Sequence, residues 1–257
     1  MVQTQGHGAR TRAHSYPSVS DPVLAEGVAR RFAARWALRG VTLSVRRGEV
    51  VAIRGSNGSG KSTLLRIIAG ALRLTRGTCL VFGHDVGREA RFVRPQVGLL
   101  GHGASLYQDL SVAENLTFAA RMACIAHDPR SISAAIEGVG LTPSANERAR
   151  NLSSGMQRRV ALARLTMCAP KLLLLDEPYN SLDDDGLAVV DKLVRDTRAD
   201  GGATVIVSHD VDRVSGIADR ILTMDDGLLF AGESAAIARD ADARAHAPLL
   251  LAHDRAR

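Results

Sequence analysis

Apolar residues in this chain fall into short unbroken runs in some stretches and into helical repeats in others. Glu49-Val50-Val51-Ala52-Ile53-Arg54 is an apolar, β-branched run that reads as a buried strand, and Leu64-Leu65-Arg66-Ile67-Ile68-Ala69 behind it begins a helix. Lys171 to Asp176 encloses four consecutive leucines, the pattern of a parallel strand covered on both faces. Ala203 to Val207 and Arg220 to Met224 read as further strands, and the turn Asp225-Asp226-Gly227 leads into Leu228-Leu229-Phe230 as a hairpin at the sheet edge. Val112, Leu116, Ala119 and Ala120 recur at helical spacing, as do Val160, Leu162, Ala163 and Leu165, and few strand signals occur between His102 and Pro170. The pattern predicts an α/β fold. A mainly parallel sheet core is expected over about 22–101 and 171–232, with a helical subdomain inserted over about 102–170. The expected domain is 22–235, flanked by a flexible N-terminal extension, 1–21, and a C-terminal extension, 236–257.

Composition narrows this picture. At 257 residues and 46% hydrophobic, the chain can bury a substantial core. A net charge of +6 would suit nucleic acid, but only Lys61, Lys171 and Lys192 are lysines, and the arginines are scattered from Arg10 to Arg257 without an aromatic-interleaved patch. A nucleic-acid partner is therefore not expected. Cys79, Cys124 and Cys168 are widely spaced and form no CxxC pair, which argues against a disulfide framework or a zinc site and fits a reducing cytoplasm. No apolar run approaches the roughly 18 residues of a membrane span. Residues 1 to about 20 are polar and lack the apolar core of a secretory signal.

The chemistry lies at the ends of the predicted strands. Gly55-Ser56-Asn57-Gly58-Ser59-Gly60-Lys61-Ser62-Thr63, set between strand and helix, spells a phosphate-binding loop. Its glycines let backbone N–H groups curl around a β-phosphate, and the positive end of the helix dipole points at the anion. Lys61 adds a full charge, Ser62 the hydroxyl expected to ligate Mg²⁺, and Thr63 a contact to the α-phosphate, so ATP with Mg²⁺ is the expected ligand. The leucine strand delivers Asp176 and Glu177 at its C-terminal end, where open α/β sheets bind ligands. Asp176 is expected to hold the Mg²⁺ shell and Glu177 to polarise the attacking water as general base. His209 projects from the next strand end, either as a γ-phosphate donor linked to Glu177 or as a histidine in a helix-capping loop. Ser153 is a good N-cap for the helix that follows it, and its helix start either serves an anion or is an ordinary cap.

With these motifs in this order, the chain resembles the ATP-binding subunit of an ABC transporter, whose signature LSGGQ corresponds to Leu152-Ser153-Ser154-Gly155-Met156. The resemblance implies a P-loop NTPase fold and a head-to-tail dimer with a second nucleotide-binding subunit. Ser153 and Gly155 then serve the γ-phosphate held by the partner, and Asp183, in Asn180-Ser181-Leu182-Asp183, lies at the seam. It also implies that His209 is the switch histidine and that Phe32 stacks on adenine, with Trp36 the rival. Integral membrane subunits are the implied partners, and the cytoplasmic face of the membrane the implied location. Ser154 and Met156 depart from the signature, and His102 stands where most relatives carry a glutamine that contacts Mg²⁺ or water; Gln96 and Gln108 are alternative holders of that role. The Gly101-His102 segment, with Leu106, Asp109-Leu110-Ser111, Ala113 to Phe118 and Gln157-Arg158-Arg159 to Leu165, is similar to the haem-exporter branch of cytochrome c biogenesis. Multidrug or polysaccharide exporter ATPases are the near rivals, and a soluble ABC ATPase acting on ribosomes or DNA is the alternative outside transport.

Overall fold

The computed structural model describes residues 21–125 and 128–231. Apart from Asp21, the two predicted terminal extensions lie outside the described residues.

The chain enters as an antiparallel hairpin, β1 (Val23–Phe32) and β2 (Arg35–Val45). Strand β3 (Val50–Arg54) runs into the glycine loop and helix α1 (Lys61–Ile68). β4 (Arg76–Val81) returns to pair with β1, short β5 (His84–Asp85) extends that edge, and the single turn α2 (Ala90–Val93) leads to β6 (Val97–Leu100). The lobe then contributes α3 (Val112–Met122), α4 (Pro129–Glu137) and α5 (Ser154–Cys168). β7 (Leu172–Asp176), α6 (Asp184–Ala199), β8 (Ala203–Val207), α7 (Val211–Ser215), β9 (Arg220–Asp225) and β10 (Leu228–Ala231) complete the described chain.

The main sheet has the order β10-β9-β3-β8-β7-β6, parallel from β9 to β6, with the predicted β9–β10 hairpin antiparallel at its edge. A second, antiparallel sheet, β2-β1-β4-β5, was not expected from the pattern, which placed all of 22–101 in the parallel core. Its alternation is hard to read because β1 slips register between Ala25 and Val28, while its exposed positions carry Arg31, Arg35 and Arg39.

Side chains of the main sheet alternate between two covered faces. Val51, Ile53, Leu172, Leu174, Val205 and Val207 pack with Leu64, Leu65, Ile67 and Ile68 of α1 and with the antiparallel sheet. Val50, Ala52, Leu173, Leu175 and Ile206 pack on the other side against Ala161, Leu162 and Leu165 of α5 and Val190, Leu193 and Val194 of α6. Each such valine, leucine or isoleucine contributes about 1.5–3 kcal/mol when fully buried, so the strand ends are held rigidly. The lobe has its own core of Val112, Leu116, Ile132, Ile136, Leu152, Val160 and Ala163. Helix α5 thus belongs to two cores at once. Ser111 starts α3 with a capping box, its hydroxyl accepting from the Glu114 N–H while the Glu114 carboxylate accepts from its own N–H.

Candidate active site

Parallel pairing brings the predicted residues to one edge. Ile53 of β3 is level with Val207 of β8, Val207 with Asp176 of β7, and Leu175 with Leu100 of β6. The segments that begin at Gly55, Gly101, Glu177 and Ser208 therefore open side by side. Between them lies a cleft of about 490 Å³ lined by Phe32, Asn57, Gly58, Gly60, Lys61, Ser62, Thr63, His102, Asp176, Glu177 and His209, together with Arg35, Ala37 and Asn180. Gly55, Ser56 and Ser59 stand behind this surface: the carbonyls of Gly55 and Ser56 accept from Lys61 Nζ at 2.7 and 2.8 Å, and Ser59 is buried. Gly60 has φ 113°, and a Cβ there would lie 2.4 Å from the Ala37 carbonyl oxygen, so the loop reaches α1 only with glycine.

The cleft gathers buried charge. Lys61, Arg158, Asp176 and Glu177 are the buried charged side chains among the described residues. Burial pulls the Lys61 ammonium below the ordinary lysine range, while Glu177 and then Asp176 push it back up. Asp176 Oδ1 is buried without a hydrogen-bond partner, and Ser62 lines the same cleft. These are hard oxygen donors suited to Mg²⁺, an ion that keeps water and substrate phosphate in its shell and needs few protein ligands. No cluster of three His, Cys, Asp or Glu side chains suited to a metal occurs among the described residues.

Glu177 takes a left-handed backbone, φ 49°, at a cost of roughly 1–3 kcal/mol for a non-glycine residue. Its carboxylate accepts from the His209 N–H at 3.3 Å and lies 3.3 Å from His209 Nε2, which is also 3.2 Å from Asn57 Oδ1. His209 thus joins the acid to the phosphate loop. The capping role belongs to its neighbour Asp210, whose carboxylate accepts from the Arg213 N–H at the start of α7. His102 Nε2 lies 3.9 Å from Asp176 Oδ2. Gln96 and Gln108, the alternatives to His102, donate to the carbonyls of Phe92 and Leu106 and do not line the cleft. Phe32, 45% exposed, stands at the cleft wall with the Arg30 guanidinium 4.5 Å from its ring centroid. Trp36 instead lies near the guanidinium groups of Arg31 and Arg76, at 5.8 and 5.7 Å, away from the cleft.

Ser153, Gly155 and Asp183 are not in this cleft. They line a separate cavity of about 500 Å³ with Ser154, Met156, Arg159 and Ser181. The Ser153 hydroxyl caps α5 by accepting from the Met156 N–H at 3.2 Å. A Cβ on Gly155 would lie 2.5 Å from the Ser181 carbonyl oxygen, so glycine lets α5 approach the segment that follows Glu177. Asp183 caps α6 and pairs with Arg159; the Arg159 hydrogen bond and the Gly186 N–H hold its carboxyl below the usual range.

Two arginines of α5 were given no site role from the sequence. Arg159 holds Asp183, and Arg158 donates to the backbone of the Asp176–Pro178 segment. The signal for Arg158 was its spacing, because 158, 162 and 165 share one helix face and Leu162 and Leu165 face the sheet. A third cavity, an apolar groove of about 800 Å³, runs between β6 and the lobe past Leu106, Tyr107, Phe118, Met122 and Arg164.

The family described as ABC transporter matches residues 38–180. The cell division ATP-binding protein FtsE of Escherichia coli (strain K12) is 35% identical over 204 residues, covering 77% of this chain and 92% of that protein. The cytochrome c biogenesis ATP-binding export protein CcmA of Cupriavidus necator is 36% identical over 199 residues, covering 75% and 86%. The dimeric, post-hydrolysis structure of the ATP-binding cassette MJ0796 bound to ADP and Pi superposes with a TM-score of 0.72 at 28% identity, covering 80% of this chain and 96% of that one.

Proposed function

This chain belongs to the ABC transporter ATP-binding family, and on that premise we infer that it is the motor of an exporter of the kind that serves cytochrome c biogenesis. It is an ATPase and the ATP-binding subunit of a transporter. The observation that carries the mechanism is the division of the predicted residues between two cavities: Lys61, Asp176, Glu177 and His209 line one, while Ser153, Gly155 and Asp183 line another. Two copies arranged head to tail would set each Ser153 helix start against the phosphates held by the other copy.

Within that composite site, the loop 55–63 cradles the phosphates, with Lys61 as the main cation and Thr63 on the α-phosphate. Phe32 offers its ring to adenine. Mg²⁺, held by Ser62 and Asp176, would supply charge neutralisation to the transferring phosphoryl group. Glu177 takes the proton of the attacking water, and His209, hydrogen-bonded to the acid and to the phosphate loop, reads the γ-phosphate. His102 fills the place of the family's glutamine beside Asp176. Because ATP favours the closed pair and its products do not, hydrolysis reopens the dimer and drives the membrane subunits. The groove beside Tyr107, Phe118 and Met122 is the apolar surface offered to those subunits. No described helix is long and apolar enough to cross a membrane.

The haem-export branch is supported by the Gly101-His102 segment and by the likeness to CcmA, a cytochrome c biogenesis ATP-binding export protein. Purification from the native membrane in gentle detergent should recover this chain with multi-spanning export subunits, and disruption of its gene should abolish covalently haem-stained c-type cytochromes. Normal cytochromes with a membrane partner of cell-division type would overturn the branch. Sedimentation with ribosomes and no membrane partner would overturn transport itself.

A further inference from the structure

Behind the cleft lies one buried cation that the proposed mechanism leaves unused. Arg158 is 6% exposed and sits on α5 five residues past the signature Ser153. Its guanidinium donates to carbonyls of the acid pair and beyond: Nη2 to Asp176 at 2.9 Å and to Glu177, Nε to Pro178 at 3.1 Å. A fourth contact, from Nη1 to the His102 carbonyl at 3.5 Å, reaches the other wall of the cleft. A fork of fixed geometry therefore ties two strand-end segments to one helix. Burial draws the guanidinium below its ordinary range, and Asp176 and then Glu177 oppose that pull. Glu177 sits in a left-handed turn, and Arg158 donates to the three successive carbonyls of Asp176, Glu177 and Pro178 around it.

We propose that Arg158 is the positioning residue of the catalytic acid: it fixes Glu177 and the His102 segment in register with α5, so that displacement of the signature helix is transmitted to the base. The idea rests on Glu177 being the general base. Arg158 touches no reacting atom. It acts through the backbone on which Glu177 and His102 are mounted, and an error of about 1 Å in such a mounting costs roughly 100-fold in rate.

The test is steady-state ATPase kinetics with ATP binding on the full chain, for Arg158→Lys, Arg158→Gln and Arg158→Met, each alone and combined with Glu177→Gln. Arg158→Met should lower kcat about 30- to 100-fold while the ATP Kd stays within about 3-fold, because Lys61 and its loop do not depend on α5. Arg158→Lys, which keeps the charge and part of the donor set, should recover a substantial fraction of kcat. In the Glu177→Gln background the Arg158 substitutions should cost less than about 3-fold more, since a residue that works through the base has nothing left to position. Should Arg158→Met misfold, Arg158→Gln and Arg158→Lys, which keep polar donors, carry the same comparison. Unchanged kcat, parallel losses in kcat and ATP affinity, or full multiplication of the two losses in the double variant would each overturn the proposal. Undiminished turnover of Glu177→Gln alone would overturn the general-base reading and the positioning role with it, whereas a strong Glu177→Gln effect with a failed Arg158 cycle sinks only the latter.

Discussion

Lys61 carries a charge that burial works against. It keeps the charge through the two carbonyls that accept from its Nζ and through the nearby Asp176 and Glu177. The site thus contains a cation already drawn out of water and fixed beside the loop, which is the preorganisation that phosphate binding needs. Removing one partner of such a buried charge interaction costs about 2–5 kcal/mol. Lys61→Ala should accordingly weaken ATP binding at least about 30-fold by calorimetry; affinity near that of the unaltered chain would take Lys61 out of the phosphate site. At this scale the motif residues were legible because spacing carries the chemistry: a loop of this length after a buried strand fixes where the lysine comes. The alternatives left open at His209 and His102 were not separable by spacing. In the structure both histidines line the cleft, Asp210 takes the cap of α7, and Gln96 and Gln108 bond to nearby backbone.

Helix α5 shows how one element carries two instructions. Its first residues form a capped N-terminus facing the signature cavity, and Ser153→Ala should cost about 1 kcal/mol in urea unfolding through loss of that cap. Ser153→Asp separates the cap from the proposed phosphate contact. Aspartate caps as well as serine, so stability should return, but its charge would repel the partner's nucleotide and ATP-induced dimerisation should not. Recovery of both would make Ser153 a cap alone. Among the elements, β3, β7 and β8 were plain in the sequence because they are covered on both faces and read as unbroken apolar runs. The antiparallel sheet was not, since it presents a half-exposed, arginine-bearing face and a broken register. Arg158 escaped for a related reason: a charge within a helical repeat looks like a solvated position until the strand end it serves is in place.

Across the molecule, Asp219 fastens three distant pieces of chain. Its carboxylate accepts from the Val50 N–H at 2.9 Å, at the start of β3, and from Arg198 near the end of α6, while the residue itself leads into β9. The Val50 N–H, and with it Arg198, holds the Asp219 carboxyl below its ordinary value of 3.8, against the effect of burial. A carboxyl with a depressed folded-state value favours folding fully above about pH 4, and that contribution fades as pH falls through the depressed value. Asp219→Asn should therefore lower Tm at pH 7 and shrink the loss of Tm between pH 7 and pH 3 measured by differential scanning calorimetry. An identical acid loss in the variant would remove Asp219 from the acid response. The double membership of α5 has a different consequence, for the way such chains diverge. Val160 and Ala163 fit the lobe, while Ala161, Leu162 and Leu165 fit the sheet, so no cut through the sequence separates the two interiors. A chimera that imports residues 102–170 from a relative brings a foreign helix face into the native sheet, and one that stops before α5 strands the imported lobe on a foreign partner. The lobe is exchangeable only together with the layer beneath it, and lineages altering its exposed surface are confined to substitutions along its outer positions.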